Sequence, residues 1–138
     1  MRISASIRNT NDSHSVTVST NDNSTSLDIK PKPNARGSGV NGGEFLFLAL
    51  ATCYCNDVFR EAETMEVMVH DLEINVSGEF GGRGEPARRI NIDVRVSADA
   101  PEEKIMELLR LTDSVTEVQN TLRVGVPIHL RNTVIGFA

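Results

Sequence analysis

Short β-branched runs punctuated by Asn, Asp and Ser open the chain: Arg2-Ile3-Ser4-Ala5-Ser6-Ile7, Ser15-Val16-Thr17-Val18 and Ser26-Leu27-Asp28-Ile29. Their rhythm predicts three short strands. Asn9-Thr10-Asn11-Asp12 and Asn21-Asp22-Asn23 between them are turn chemistry, because short polar side chains bond their own backbone and tolerate unusual dihedrals. An antiparallel meander follows. From Pro31 to Gly43, two prolines and four glycines break regular structure and predict an extended loop.

The pattern then becomes helical from about Glu44 to Met65, with good helix formers and no internal Gly or Pro. Asn41 is placed to cap the first turn while Glu44, three residues on, reaches back. Phe45 to Ala51 is apolar on all sides, whereas Asn56, Asp57, Arg60, Glu61 and Glu63 crowd the second half. A helix apolar all round must be enclosed, so the reading places it at the centre, wrapped by sheet and completed by a second subunit. Two alternating runs come next. His70, Leu72, Ile74 and Val76 share one face, and Ile90, Ile92, Val94 and Val96 another, joined across Gly78 to Pro86 as a long hairpin. The glycines of that loop lie between strands and not before a helix, which removes a phosphate-binding reading. Pro101-Glu102-Glu103 opens a helix with Ile105, Leu108 and Leu109 as its buried stripe, and a shorter one runs from about Ser114 to Leu122, ending near Gly125. Ile128 to Phe137 alternates as a closing strand. The order is α+β.

Composition narrows the function classes. The chain has 138 residues, 39% hydrophobic and 24% charged, which fits residues 1–138 as a single domain with its own core. A formal net charge of −5 disfavours nucleic acid and anionic lipid as partners. The longest apolar stretch falls far short of the roughly 20 residues of a membrane span, and the polar N-terminus has no signal-peptide pattern, so a cytoplasmic setting is expected. In a reducing compartment the two cysteines, Cys53 and Cys55, are expected to remain free.

Metal and cofactor chemistry are not expected. His14, His70 and His129 lie far apart, and Cys53-Tyr54-Cys55 lacks the Cys-x-x-Cys spacing of a zinc site. His70 and His129 read as strand residues, and no Gly-x-Ser-x-Gly elbow marks a serine hydrolase. On a helix, residues two apart are separated by about 200° around the axis, so Cys53 and Cys55 cannot bridge and meet different environments. Each packs as a small hydrophobe unless a cation or donor favours the thiolate. Arg36 and Arg8 are the candidate cations, and Glu44 or Asp57 the acids that orient one. Phe45, Phe47, Tyr54 and Phe59 read as core.

The stretch Gly42-Gly43-Glu44-Phe45-Leu46-Phe47-Leu48-Ala49-Leu50-Ala51-Thr52-Cys53-Tyr54-Cys55-Asn56-Asp57-Val58 is similar to the central-helix motif of the OsmC/Ohr family, Pro-x-Glu-Leu-Leu-Leu-Ala-Ala-Leu-x-x-Cys followed by Asp-Val. Leu27-Asp28-Ile29 is similar to that family's third strand, and the order of elements resembles its fold across nearly the whole chain. The resemblance implies an intertwined homodimer with antiparallel sheets around paired central helices. It also implies a role in oxidative stress, with Cys53 as the peroxidatic cysteine of an oxidoreductase that reduces organic hydroperoxides or hydrogen peroxide. The family's later motif, Cys-Pro-Val-x-Asn-Thr-Leu, stands here as Thr116-Glu117-Val118-Gln119-Asn120-Thr121-Leu122, so Thr116 occupies the resolving position and a hydroxyl forms no disulfide. Gly43 stands where the organic-hydroperoxide branch has its helper Glu, and only Arg8 lies near its helper Arg, which draws the chain toward the OsmC-like subgroup. Two principal functions are implied. One is a peroxidase using Cys53, Arg36 or Arg8, Glu44 and Asp57 with an external thiol reductant; the other is a non-catalytic homodimer binding a small apolar ligand or partner. Redox sensing through Cys53 without turnover is a third.

Overall fold

A computed structural model of the protein describes residues 1–136. Its elements, in chain order, are β1 (Ile3–Asn9), β2 (His14–Thr20), β3 (Asn23–Leu27), α1 (Gly42–Thr64), β4 (Met68–Phe80), β5 (Ala87–Asp99), α2 (Glu102–Val115) and α3 (Glu117–Val124). The chain divides into two compact units, Met1–Phe47 and a second starting at Leu48, so the boundary falls inside α1.

The first unit is the expected antiparallel meander in the order β1-β2-β3. Ile3 to Asn9 pair with Thr20 to His14, and Thr20 pairs with Asn23. Asn21-Asp22 is therefore a two-residue hairpin turn, and Asn21 takes φ 53°, a left-handed conformation that Asn tolerates. This turn corrects the third strand: it hands Asn23 straight to the ladder, so β3 starts there and ends at Leu27, leaving Asp28 outside in an exposed ion pair with Lys30. In the following loop Pro31 bridges Ser38, and the Gly39 N–H donates to the Lys30 carbonyl. A Cβ at Gly39 would sit 2.9 Å from that carbonyl oxygen, which is why glycine stands there. The cap forms as expected. Glu44 N–H donates to Asn41 Oδ1 at 2.8 Å and Asn41 N–H to Glu44 Oε1 at 3.0 Å. It starts the helix at Gly42, two residues before the sequence pattern does.

In the second unit, β4 and β5 form a two-stranded antiparallel sheet with Leu72 opposite Val96, Ile74 opposite Val94 and Val76 opposite Ile92. The strands run on to Phe80 and from Ala87, so the hairpin loop is shorter than the sequence suggests. A bulge between Val69 and Asp71 shifts the alternation, so Val69 joins Leu72 and Ile74 on the core face while His70 turns out to Asp99, 2.8 Å away. That corrects the face assigned to His70. The core consists of Tyr54, Val58 and Ala62, four residues apart along α1, with Val67 and the fully buried Leu108 of α2. α2 ends at Val115, and Thr116, extended at φ −71° and ψ 113°, caps α2 and starts α3, so the short helix begins at Glu117 rather than Ser114. Gly125, at φ 66°, closes α3 in the left-handed cap its position predicts.

Two further expectations are corrected. Phe59 is about half exposed instead of core, and Leu48, also on the second-unit part of α1, is 59% exposed. The predicted closing strand over Ile128 to Phe137 is irregular throughout its described part, with Ile128 97% exposed and His129 in coil. A strand needs a neighbour to take its backbone hydrogen bonds, and no ladder forms there among the described residues. Phe137 lies outside them. No helix of the described residues is long and apolar enough to cross a membrane.

Candidate functional site

The middle of α1, within the second unit, holds the candidate site. Cys53 and Asp57 are four residues apart and so lie on the same helix face; their Sγ and Oδ2 atoms are 3.8 Å apart. Asp57 is only 5% exposed, and one turn further Arg60 Nη1 meets its Oδ1 at 3.1 Å. The start of α3 supplies a third group. Glu117 Oε2 lies 3.9 Å from Cys53 Sγ, and its Oε1 is 3.9 Å from Arg60 Nη1. Each carboxylate therefore turns one oxygen to the thiol and the other to the guanidinium.

Burial pushes the Cys53 thiol up from its ordinary value, and the Asp57 and Glu117 charges add to that. The backbone N–H groups of Val118 and Glu117, at the start of α3, work the other way by favouring the thiolate. Asp57 is also raised, by burial first and by Glu117 repulsion, with Arg60 opposing. Tyr54, one residue along from the thiol, is pushed up to about 12 by burial and Asp113. It is held neutral as a donor, its hydroxyl 2.9 Å from the Leu109 carbonyl.

Of the residues singled out by sequence, the structure brings Cys53 and Asp57 together. Arg36 and Glu44 belong to the first unit. Arg36 donates through Nε to Asn9 Oδ1 at 2.9 Å and through Nη1 to Asn11 Oδ1 at 2.8 Å, pinning the β1–β2 turn, while Glu44 serves the cap with Asn41. Arg8 is exposed on β1. Arg60 and Glu117 were missed. Arg60 was legible as an i, i+3 partner of Asp57, but nothing local ties Glu117 to Cys53, 64 positions earlier in the chain. Thr116 is fully buried, its hydroxyl 3.2 Å from the Asp113 carbonyl.

Both cysteines are free. As the helical angle requires, Cys55 faces elsewhere, lining a cavity of about 280 Å³ with Ala51, Thr52, Asn56, Leu72 and Ile74. A second cavity, of about 230 Å³, lies among Leu50, Ile90, Ile92, Gln119, Leu122 and Arg123. Gln119 donates from Nε2 to the Leu50 carbonyl at 3.0 Å, which leaves its buried Oε1 without a partner. The absence of metal ligands expected from histidine and Cys-x-x-Cys spacing takes no account of the carboxylates: Cys53, Asp57 and Glu117 offer ligand atoms all within 4.8 Å of one another.

Comparison with known proteins gives a consistent picture. Residues 35–131 match the family model described as OsmC-like protein. An OsmC-like protein from Mycoplasma pneumoniae superposes with a TM-score of 0.64 at 26% identity, covering 91% of this chain and 87% of its own. An OsmC-like hydroperoxide resistance protein from Jannaschia sp. gives 0.56 at 14% identity, over 98% and 93% of the two chains. An OsmC-like protein of unknown function from Vibrio cholerae gives 0.59 at 13%, over 88% and 93%. The last two identities speak for the fold alone. Among curated proteins none matches the chain.

Proposed function

The chain belongs to the OsmC-like family, and from that premise we propose that it is a thiol-dependent peroxidase acting through Cys53 with an external thiol as reductant. The observation that carries this reading is the convergence of Asp57 Oδ2 and Glu117 Oε2 on Cys53 Sγ at 3.8 and 3.9 Å. A raised thiol needs a base at the moment of attack, and a raised carboxylate is a stronger base. The Cys53 proton passes to Asp57 or Glu117 as Sγ attacks the terminal hydroperoxide oxygen. The O–O bond breaks, the leaving alkoxide takes the proton as an alcohol or water, and Cys53 becomes a sulfenic acid. Backbone N–H groups of Val118 and Glu117 favour the thiolate that attacks. A threonine at 116 forms no disulfide, so an external thiol condenses with the sulfenic acid, releasing water. A second thiol then displaces Cys53 as thiol and leaves the oxidised reductant. The name of the Jannaschia relative agrees with such a substrate. The exposed Leu48 and Phe59 on α1 and the apolar Ile128, Leu130 and Ile135 support a homodimer as the working form.

The test treats reduced protein, with chelator present, with one equivalent of cumene hydroperoxide or hydrogen peroxide and follows sulfenic acid by dimedone trapping and mass spectrometry. Trapping at Cys53, absent from Cys53→Ser and reversed by dithiol, is the expected result. Reaction no faster than free cysteine sinks the reading.

A second reading has its own observation. Gln119, whose buried Oε1 has no partner, is among the residues lining a largely apolar cavity, and a buried acceptor left unpaired suits a small apolar ligand bearing one hydrogen-bond donor. In that case fatty alcohols or amides bind in a thermal-shift titration, and Gln119→Leu removes the preference for the donor.

A further inference from the structure

We infer that Cys53, Asp57 and Glu117 form a binding site for a divalent cation of borderline softness, with zinc the best fit, whose ligands are Cys53 Sγ, Asp57 Oδ2 and Glu117 Oε2. Three ligand residues from two elements, one thiol and two carboxylates, converge there, each with a ligand atom within 4.8 Å of the others. Tetrahedral zinc with Zn–S of about 2.3 Å and Zn–O of about 2.0 Å sets sulfur and oxygen roughly 3.5 Å apart. The observed separations of 3.8 and 3.9 Å need to close by only a few tenths of an ångström.

Arg60 makes the arrangement more than a chance gathering of acids. Its Nη1 holds Asp57 Oδ1 at 3.1 Å and lies 3.9 Å from Glu117 Oε1, while its Nε bonds Glu61, so the outer oxygens face the guanidinium and the inner ones are turned to sulfur. It is a positioning residue for the site, the role outer partners of metal ligands play. The charge count points the same way. A thiolate, Asp57 and Glu117 face a single guanidinium, which also pairs with Glu61 at 3.1 Å, so the ligand set carries an excess of negative charge that a divalent cation offsets. Thiolate with carboxylate suits zinc better than magnesium or calcium, which prefer all-oxygen shells. Entry is open on one side, since the Glu117 side chain is 67% exposed. Binding displaces the Cys53 proton to solvent and closes the lone pair that would attack a peroxide, so the metal-bound chain is the unreactive one.

The experiment titrates the full-length, reduced protein with Zn²⁺ against a chromophoric chelator, and separately with Co²⁺ while recording the ultraviolet and visible spectrum, with no peroxide present. One zinc per chain and a thiolate-to-cobalt charge-transfer band are expected. The band persists in Cys55→Ser and vanishes in Cys53→Ser, whose fold is checked by circular dichroism. Glu117→Gln, at an exposed position, weakens zinc by at least the roughly tenfold that loss of an outer partner costs. No binding, a band that follows Cys55, or a Glu117→Gln affinity equal to wild type overturns the site. Because this titration contains no peroxide and the dimedone assay contains chelator, either proposal fails without the other.

Discussion

At the level of single residues, the thiol and its acid neighbours make opposite demands. Burial and two nearby carboxylates hold Cys53 above the ordinary 9.0, so the chain keeps it protonated until a base acts. Iodoacetamide alkylation of Cys53, read by mass spectrometry across pH, should therefore show its midpoint above 9.0 and shift downward in Glu117→Gln, which removes one of the charges. Asp57 gives a stability prediction of defined sign. Its folded pKa lies above the unfolded 3.8, so between the two values the folded chain binds more protons and stability falls as pH rises. Asp57→Asn removes that slope. Comparing urea midpoints of the two proteins from just below to well above 3.8 should show wild type losing ground relative to the variant as pH rises. Cys53 and Asp57 were legible as a pair because a helix fixes i and i+4 on one face. Glu117 was not, since its approach depends on how α3 returns to α1, and no periodicity encodes that.

Elements followed local chemistry closely where local bonds decide them. The reciprocal Asn41–Glu44 bonds that start α1 are written in the spacing of the two residues. Replacing Asn41 by Ala should lower stability by about 1 kcal/mol, measured by chemical denaturation, with activity at Cys53 retained if the helix beyond the first turn holds. Gly125 at the end of α3 was equally readable, because the left-handed cap favours glycine. The errors came where a partner decides. A bulge moved His70 off the face its alternation assigns, and the two-residue turn at Asn21-Asp22 advanced β3. The alternating run after Pro127 has strand chemistry but no ladder among the described residues.

Across the whole molecule, the second unit is held by a small core in which Leu108 of α2 is wholly buried against α1 residues Tyr54, Val58 and Ala62. Leu108→Ala should cost about 2–5 kcal/mol, seen as a lower denaturation midpoint. The apolar surface that one chain leaves on α1 gives a further prediction. The protein should sediment at twice 15.1 kDa, and Leu48→Asp, at a position 59% exposed in the single chain, should shift it to monomer with its circular dichroism unchanged. A monomeric wild type would remove the homodimer from the proposed function.

The sequence alone determined the α+β class, the meander, the capped long helix and the presence of two thiols facing different ways, because alternation, capping and helical angle act over a few residues. It also carried the motif from Gly42 to Val58 that marks the family. Tertiary structure decided which groups surround Cys53: Arg36 is spent on Asn9 and Asn11, and Arg60 and Glu117 stand with the thiol and Asp57 instead. Side chains 64 positions apart meet only when α2 has turned the chain back, and the charge balance that sets a thiol's chemistry is a property of that meeting.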